Sequence, residues 1–239
     1  MKHDRFLNGF IVFLPFCVAL TSCASKTAYA PVVNLSPPAS QIKDEKAPAG
    51  TYRVQQGDTA YSIAWANGLD YRSLKNANHL PSNYEIHPGQ LLNIKPNAAP
   101  QHVEAQKKPS RSPVHVPHIK GWQWPARGLV AKGFSTKPFG NKGVNISGRR
   151  GQTIHAAQKG RVVYSGAGIR GYGNLIIIKH NESYLSAYAF NQRNLVHQGD
   201  SVAAGEKIAL MGRNHRGRAM LHFELRKNGK PVNPAYYLH

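Results

Sequence analysis

The residues best placed for chemistry in this 239-residue chain lie near its end, in "MLHFELR" (Met220 to Arg226). Leu221, Phe223 and Leu225 alternate there with Met220, His222 and Glu224. A period of two sends the first set into a core and the second onto one surface. Two histidines at i and i+2 on such a strand would converge on one site. This strand offers a single imidazole. A catalytic zinc needs three protein ligands of His, Asp, Glu or Cys type and a fourth position open to water. His155, His180, His197 and His215 lie in the same part of the chain, and none forms an H-x-H or H-x-x-x-H pair. Spatial clusters among them stay open. No G-x-S-x-G is present, and "GAGIRGYG" fits a loop between strands better than a phosphate cradle.

The elements that must position these residues are strands. Residues 121–239 read as short β-rich runs punctuated by glycine: "GRVVYSG", "GNLIIIKH", "SYLSAYAF", "EKIALMG" and "LHFELRKNGKPV". Asn228-Gly229 is a hairpin signal. This block is expected to be an antiparallel β domain, large enough for its own core without disulfides. Residues 96–120 are proline-rich, which excludes a helix interior or central strand, and form a linker. Residues 51–95 read differently. "TYRV" is a strand, "GDT" a turn with Asp58 or Thr59 placed to cap a helix, "AYSIAWANGL" and "DYRSLKNANHL" two short helices, and "PGQLLNIK" a returning strand.

The whole chain carries 31 basic and 11 acidic residues, a formal charge of +20. That balance implies an anionic partner: nucleic acid, an acidic membrane surface or an acidic polymer such as a cell wall. The N-terminus decides among them. Lys2 and Arg5 precede "FIVFLPFCVAL", an apolar run too short to span a bilayer, which reads as a signal peptide over residues 1–22. "LTSC" resembles the lipobox of bacterial lipoproteins. The resemblance implies cleavage before Cys23, acylation of its thiol, and an anchor made stable by several acyl chains. Ala24 after that cysteine resembles lipoproteins sorted to the outer membrane. Residues 23–50 are then the lipidated start and a flexible tether. Outside the cytoplasm, nucleic acid is not an expected partner.

Residues 51–95 resemble the LysM module through "YRVQQGDTAYSIA", "NHL" and "IHPGQLLNI". The resemblance implies a βααβ fold that binds N-acetylglucosamine-containing polymers between two loops. Those loops correspond to Gly57, Asp58 and Thr59, and to Asn78, Leu80, Ile86 and Pro88. Residues 121–239 resemble the LytM/M23 metallopeptidases, zinc enzymes that cut peptidoglycan cross-bridges. "FGNKGVNI", "GQTIHAAQKGRVVYSG" and "LHFELRKNGKPVNPAYYL" carry the likeness. Active members have a His-x-x-x-Asp pair, a His after the Tyr-Ala of a middle strand, and a C-terminal His-x-His. Here the first metal histidine falls on Asn141, the metal aspartate on Asn145, and the two catalytic histidines on Phe190 and Met220. Only His222 is kept. One imidazole and two neutral amides cannot bring a bound water to a pKa near 7, and Phe190 and Met220 cannot move a proton. The expectation is no metal, no cofactor and no catalytic residue.

The fold class expected is therefore mixed: a small α+β LysM module, then an all-β antiparallel LytM/M23-like domain, joined by a disordered linker. Lipobox, tether, LysM and degenerate LytM domain together resemble the NlpD-type lipoproteins. That resemblance implies peptidoglycan binding and activation of a periplasmic N-acetylmuramoyl-L-alanine amidase by a groove that no longer catalyses. The groove is expected to be lined by Asn141, Asn145, Tyr172, Tyr188, Phe190, Met220 and His222. Arg149, Arg150, Arg170, Arg216 and Arg218 are expected to frame it.

Overall fold

The computed structural model describes residues 47–95 and 121–239. The expected leader, Cys23, the expected tether up to residue 46 and the expected linker over 96–120 lie outside the described residues, while the last four residues of the expected tether, 47–50, are described and end in a turn at Ala49–Gly50.

The first module has the expected order. Strands β1 (Thr51–Arg53) and β2 (Leu91–Asn93) pair antiparallel, and helices α1 (Ala60–Ala66) and α2 (Tyr71–Ala77) lie between them. Of the two candidate caps, Thr59 is the one used. Its side chain accepts from Ser62 N, and Ser62 Oγ accepts in return from Thr59 N, closing a capping box. The helices are shorter than their apolar periodicity suggests. Asn67 ends α1 by donating its side-chain amide to the Ile63 carbonyl, and Gly68 follows at φ +67°. Asp70 caps α2.

The second domain is all-β. Its strands are β3 (Val130–Lys132), β4 (Val144–Ser147), β5 (Thr153–His155), β6 (Gly160–Gly166), β7 (Asn174–Lys179), β8 (Tyr184–Asn194), β9 (Ser201–Val202), β10 (Lys207–Met211), β11 (Met220–Lys227) and β12 (Lys230–Val232). The main sheet runs β3-β4-β11-β8-β7-β6-β9, with β10 joining β8 to β5 and β12 extending β11. All pairings between these strands are antiparallel. Asn228 and Gly229 form the β11–β12 hairpin, both with positive φ.

Both faces of the central strands are buried. Leu221, Phe223 and Leu225 of β11, Tyr184 and Tyr188 of β8, and Ile176 and Ile178 of β7 enter a core closed by Trp122 and Leu238. The opposite residues, Leu175, Ile177, Leu185, Ala187 and Ala189, join Ile63, Trp65, Tyr71 and Leu74 of the first module in a second cluster. This explains why "NLIIIK" is apolar throughout rather than alternating: each of its faces has a layer to meet.

Candidate functional site

The site is built where β4, β11 and β8 run side by side. In the register of these strands His222 lies opposite Asn145 on one side and Ala189 on the other. His222 Nδ1 is 2.6 Å from Asn145 Oδ1, and Nε2 is 3.0 Å from Glu224 Oε1. Both ring nitrogens are therefore engaged. Glu224, two residues on along the same face, is 1% exposed. Its Oε1 also accepts from Tyr172 Oη at 2.8 Å, and its Oε2 accepts from Arg226 Nη2 at 3.1 Å and Nε at 3.3 Å. Burial pushes this carboxyl up. The His222 hydrogen bond, the Arg226 and His222 charges and the Tyr172 hydroxyl together outweigh burial and hold it down at about 2. Tyr172 is driven the other way. Burial first, then the Glu224 charge, raise its hydroxyl to about 12, which keeps it a donor.

The apolar wall comes from two residues in unusual settings. Phe190 has φ +64°, a left-handed conformation in which a large side chain is strained. Its ring centroid lies 6.0 Å from that of His222 and 5.4 Å, edge-on, from that of His215. Met220 is buried, and its sulfur accepts from Asn214 Nδ2 at 3.3 Å. The loop carrying Asn214 and His215 is tied to the loop before β7, since His215 Nε2 lies 2.9 Å from the Gly171 carbonyl. Phe190 N donates to the Tyr172 carbonyl, closing the same corner.

Two expected groove residues are otherwise engaged. Asn141 spends its amide on its own loop, with Nδ2 2.7 Å from the Gly143 carbonyl and 3.0 Å from that of Gly133. Tyr188 is not a groove residue. It is fully buried on the opposite face of β8, where its hydroxyl accepts from Ala157 N at 2.8 Å and lies 3.1 Å from Ser186 Oγ. The reason is a bulge. Asn174 and Ile176 of β7 face Asn191 and Tyr188 of β8, so β8 carries one extra residue at Ala189–Phe190. Period two puts Tyr188 and Phe190 on one face; the bulge separates them.

Glu224, Arg226 and His215 also belong to the site; the strand alternation puts Glu224 on the face of His222, whereas no spacing in the sequence brings His215 to Phe190. Arg149 and Arg150 are exposed, as are Arg170, Arg216 and Arg218.

The LysM loop residues divide as well. Gly57 and Pro88 are exposed, and Ile86 is half-buried. Asp58 Oδ2 accepts from Tyr52 Oη and Gln55 N. Asn78 clamps β2 through Asn93 N and O. Thr59 and Leu80 are buried, one as helix cap and the other in the core, so their side chains build the module rather than face a ligand.

A zinc ion does not fit this set. His222 has no nitrogen to spare, and Asn141 turns its amide to backbone carbonyls. Among the described residues no group of three His, Cys, Asp or Glu side chains gathers around a common point. What the arrangement offers is a strip of Phe190, Met220, Tyr172 and His222 beside a buried, fully bonded carboxylate.

Comparison with known proteins follows the same division. The model of "Peptidase family M23" matches residues 139–234, and the "LysM domain" model matches residues 52–95. The Lipoprotein NlpD/LppB homolog of Pseudomonas aeruginosa is 36% identical over 93% of this chain and 89% of its own length. The chain belongs to the NlpD/LppB lipoprotein family. The Murein hydrolase activator NlpD of Escherichia coli is 37% identical, over 79% of this chain and 67% of its own. The Outer membrane antigenic lipoprotein B of Histophilus somni is 39% identical, over 77% of this chain and 65% of its own. No helix among the described residues is long and apolar enough to cross a membrane.

Proposed function

We propose that this chain is an outer-membrane lipoprotein, anchored through Cys23, that binds peptidoglycan and activates a periplasmic N-acetylmuramoyl-L-alanine amidase. The groove of its M23-like domain is the docking surface and performs no hydrolysis of its own. One observation carries this reading: the retained imidazole of an M23 fold has both nitrogens bonded to Asn145 and Glu224. The names of the Escherichia coli and Salmonella relatives, murein hydrolase activators, support the activating role. The LysM match supports attachment to the wall.

Phe190 and Met220 suit such a surface because they offer side-chain burial where an enzyme would offer proton transfer. Each buried apolar anchor is typically worth about 1–3 kcal/mol. An activator need only bind the open amidase better than the closed one, and a few kcal/mol of difference inverts a biased equilibrium. The exposed Arg149, Arg150, Arg170, Arg216 and Arg218 suit acidic groups on the amidase or on stem peptides.

Dye release from labelled sacculi tests the reading, with the soluble chain from Ala24 onward alone, a candidate amidase alone, and both together. Release only with both is expected, and Phe190→Asp is expected to abolish the enhancement. Release by the chain alone would overturn it. No enhancement with any amidase of the source organism would leave a wall-binding tether.

A further inference from the structure

The sheet face that carries the groove does not end at the groove. It continues beneath the LysM module, and the two halves meet at Glu224. Oε1 of that carboxylate serves the groove through His222 and Tyr172, while Oε2 is held by Arg226. Arg226 is itself buried, 6% exposed, and its remaining Nη1 donates to the carbonyl of Trp65 at 2.9 Å. The guanidinium lies over the Trp65 indole, 3.6 Å from the ring centroid, within reach of a strong cation–π contact. A buried arginine bonded on one side to a groove carboxylate and on the other to helix α1 is a physical link between the two modules.

The surrounding contacts show that the module is seated, not merely near. Tyr71 Oη lies 3.0 Å from the Glu182 carbonyl at the β7–β8 turn, and Glu182 is also paired with Lys179. Arg72 Nη2 donates to Asn228 Oδ1 at 3.0 Å. At the next residue, Gly229, a Cβ would fall 2.6 Å from Asp70 N, so the hairpin backbone touches the cap of α2. Beneath them Leu175, Ile177, Leu185 and Ala187 are at most 5% exposed, covered by the module.

We infer that this sheet face is a docking surface for the chain's own LysM module, and that docking is coupled to groove occupancy through His222, Glu224 and Arg226. A groove ligand presenting an amine, a guanidinium or another donor to Glu224 competes with His222 and Tyr172, and thereby alters the carboxylate's hold on Arg226. Coupling is reciprocal: whatever loosens the module changes the groove's affinity by the same factor. The link works with any occupant of that chemistry and does not depend on the amidase.

Spin labels at Gln56→Cys and Lys207→Cys, both exposed, report the distance between the modules in the full chain with Cys17 and Cys23 replaced by serine. A single narrow distribution is expected. Gly229→Asn is the wedge, since asparagine tolerates a left-handed φ while its Cβ strikes Asp70. It should broaden the distribution with both modules still folded by circular dichroism. Arg226→Ala should do the same. His222→Gln, which leaves the docked surface untouched, should add a longer-distance population several-fold above the parent's. A broad distribution in the parent chain, or a narrow one unmoved by Gly229→Asn, would overturn the docking. Broadening by Gly229→Asn without any response to His222→Gln would overturn the coupling.

Discussion

Asn145 and His222 stand directly opposite one another on β4 and β11, and their side chains meet at 2.6 Å. An imidazole so engaged has exchanged a metal for a neighbour. The parent chain should therefore take up only substoichiometric zinc, measured by atomic emission after dialysis. Asn145→Asp alone should not change this, because Asn141 still offers a neutral amide turned to its own loop, and His222 with one carboxylate falls short of the three protein ligands a zinc site needs. The pair Asn141→His with Asn145→Asp restores the His-x-x-x-Asp ligand types beside His222 and should raise bound zinc toward one equivalent.

Acid should weaken the fold in two separate windows. His180 sits with Nδ1 on the Lys159 carbonyl, Nε2 on Ser186 Oγ and its ring on the edge of Trp122. Burial lowers its pKa to about 4. An unfolded histidine takes its proton near pH 6.5, so stability falls as pH drops from about 6.5 toward 4. Glu224 adds a lower window. With its pKa near 2 against an ordinary 4.5, its stabilisation is complete above about pH 4.5 and is lost as pH falls toward 2, in all about 3 kcal/mol. Denaturant midpoints across pH should show both slopes, and Glu224→Gln should remove the lower one. The same substitution should lower stability at neutral pH by about 3 kcal/mol, because it leaves Arg226 buried beside a neutral amide.

Phe190→Gly should separate folding from function. Glycine adopts φ +64° without strain, which returns about 1 kcal/mol, against the loss of the ring's contacts with His215 and His222. The melting temperature should stay close to that of the parent while enhancement of amidase-driven dye release is lost. A variant that kept full enhancement would remove Phe190 from the docking surface.

Tyr188→Phe should do the reverse. It strips the acceptor from the buried Ala157 N–H, which costs about 1–3 kcal/mol. Since Tyr188 faces the core, activation measured well below the melting temperature should be unchanged.

How far the sequence foretold this can be followed along β11 and β8. "MLHFELR" alternates without interruption, and every side chain of that run falls on the face its period assigns. A helix cap at Asp58 or Thr59, the Asn228-Gly229 turn and the βααβ order were equally legible, because each depends on neighbours within a few residues; which of the two caps is used was not. Tyr188 was misplaced because a bulge is a property of two strands, and nothing in "AYAF" announces the extra residue. The seating of the LysM module was hidden for a related reason. Tyr71, Arg72 and Trp65 read as ordinary helix residues, and their partners Glu182, Asn228 and Arg226 lie more than a hundred positions away.

The second apolar cluster has a thermodynamic consequence. Ile63, Trp65 and Leu74 share one buried interior with Leu175, Ile177 and Leu185, so neither module can melt without stripping the cover from the other. Heating should accordingly release the two as a single cooperative unit. The 49 described residues from 47 to 95 hold only a small core by themselves, so in a chain undocked by Gly229→Asn they should stay folded at low temperature and melt before the domain they cover.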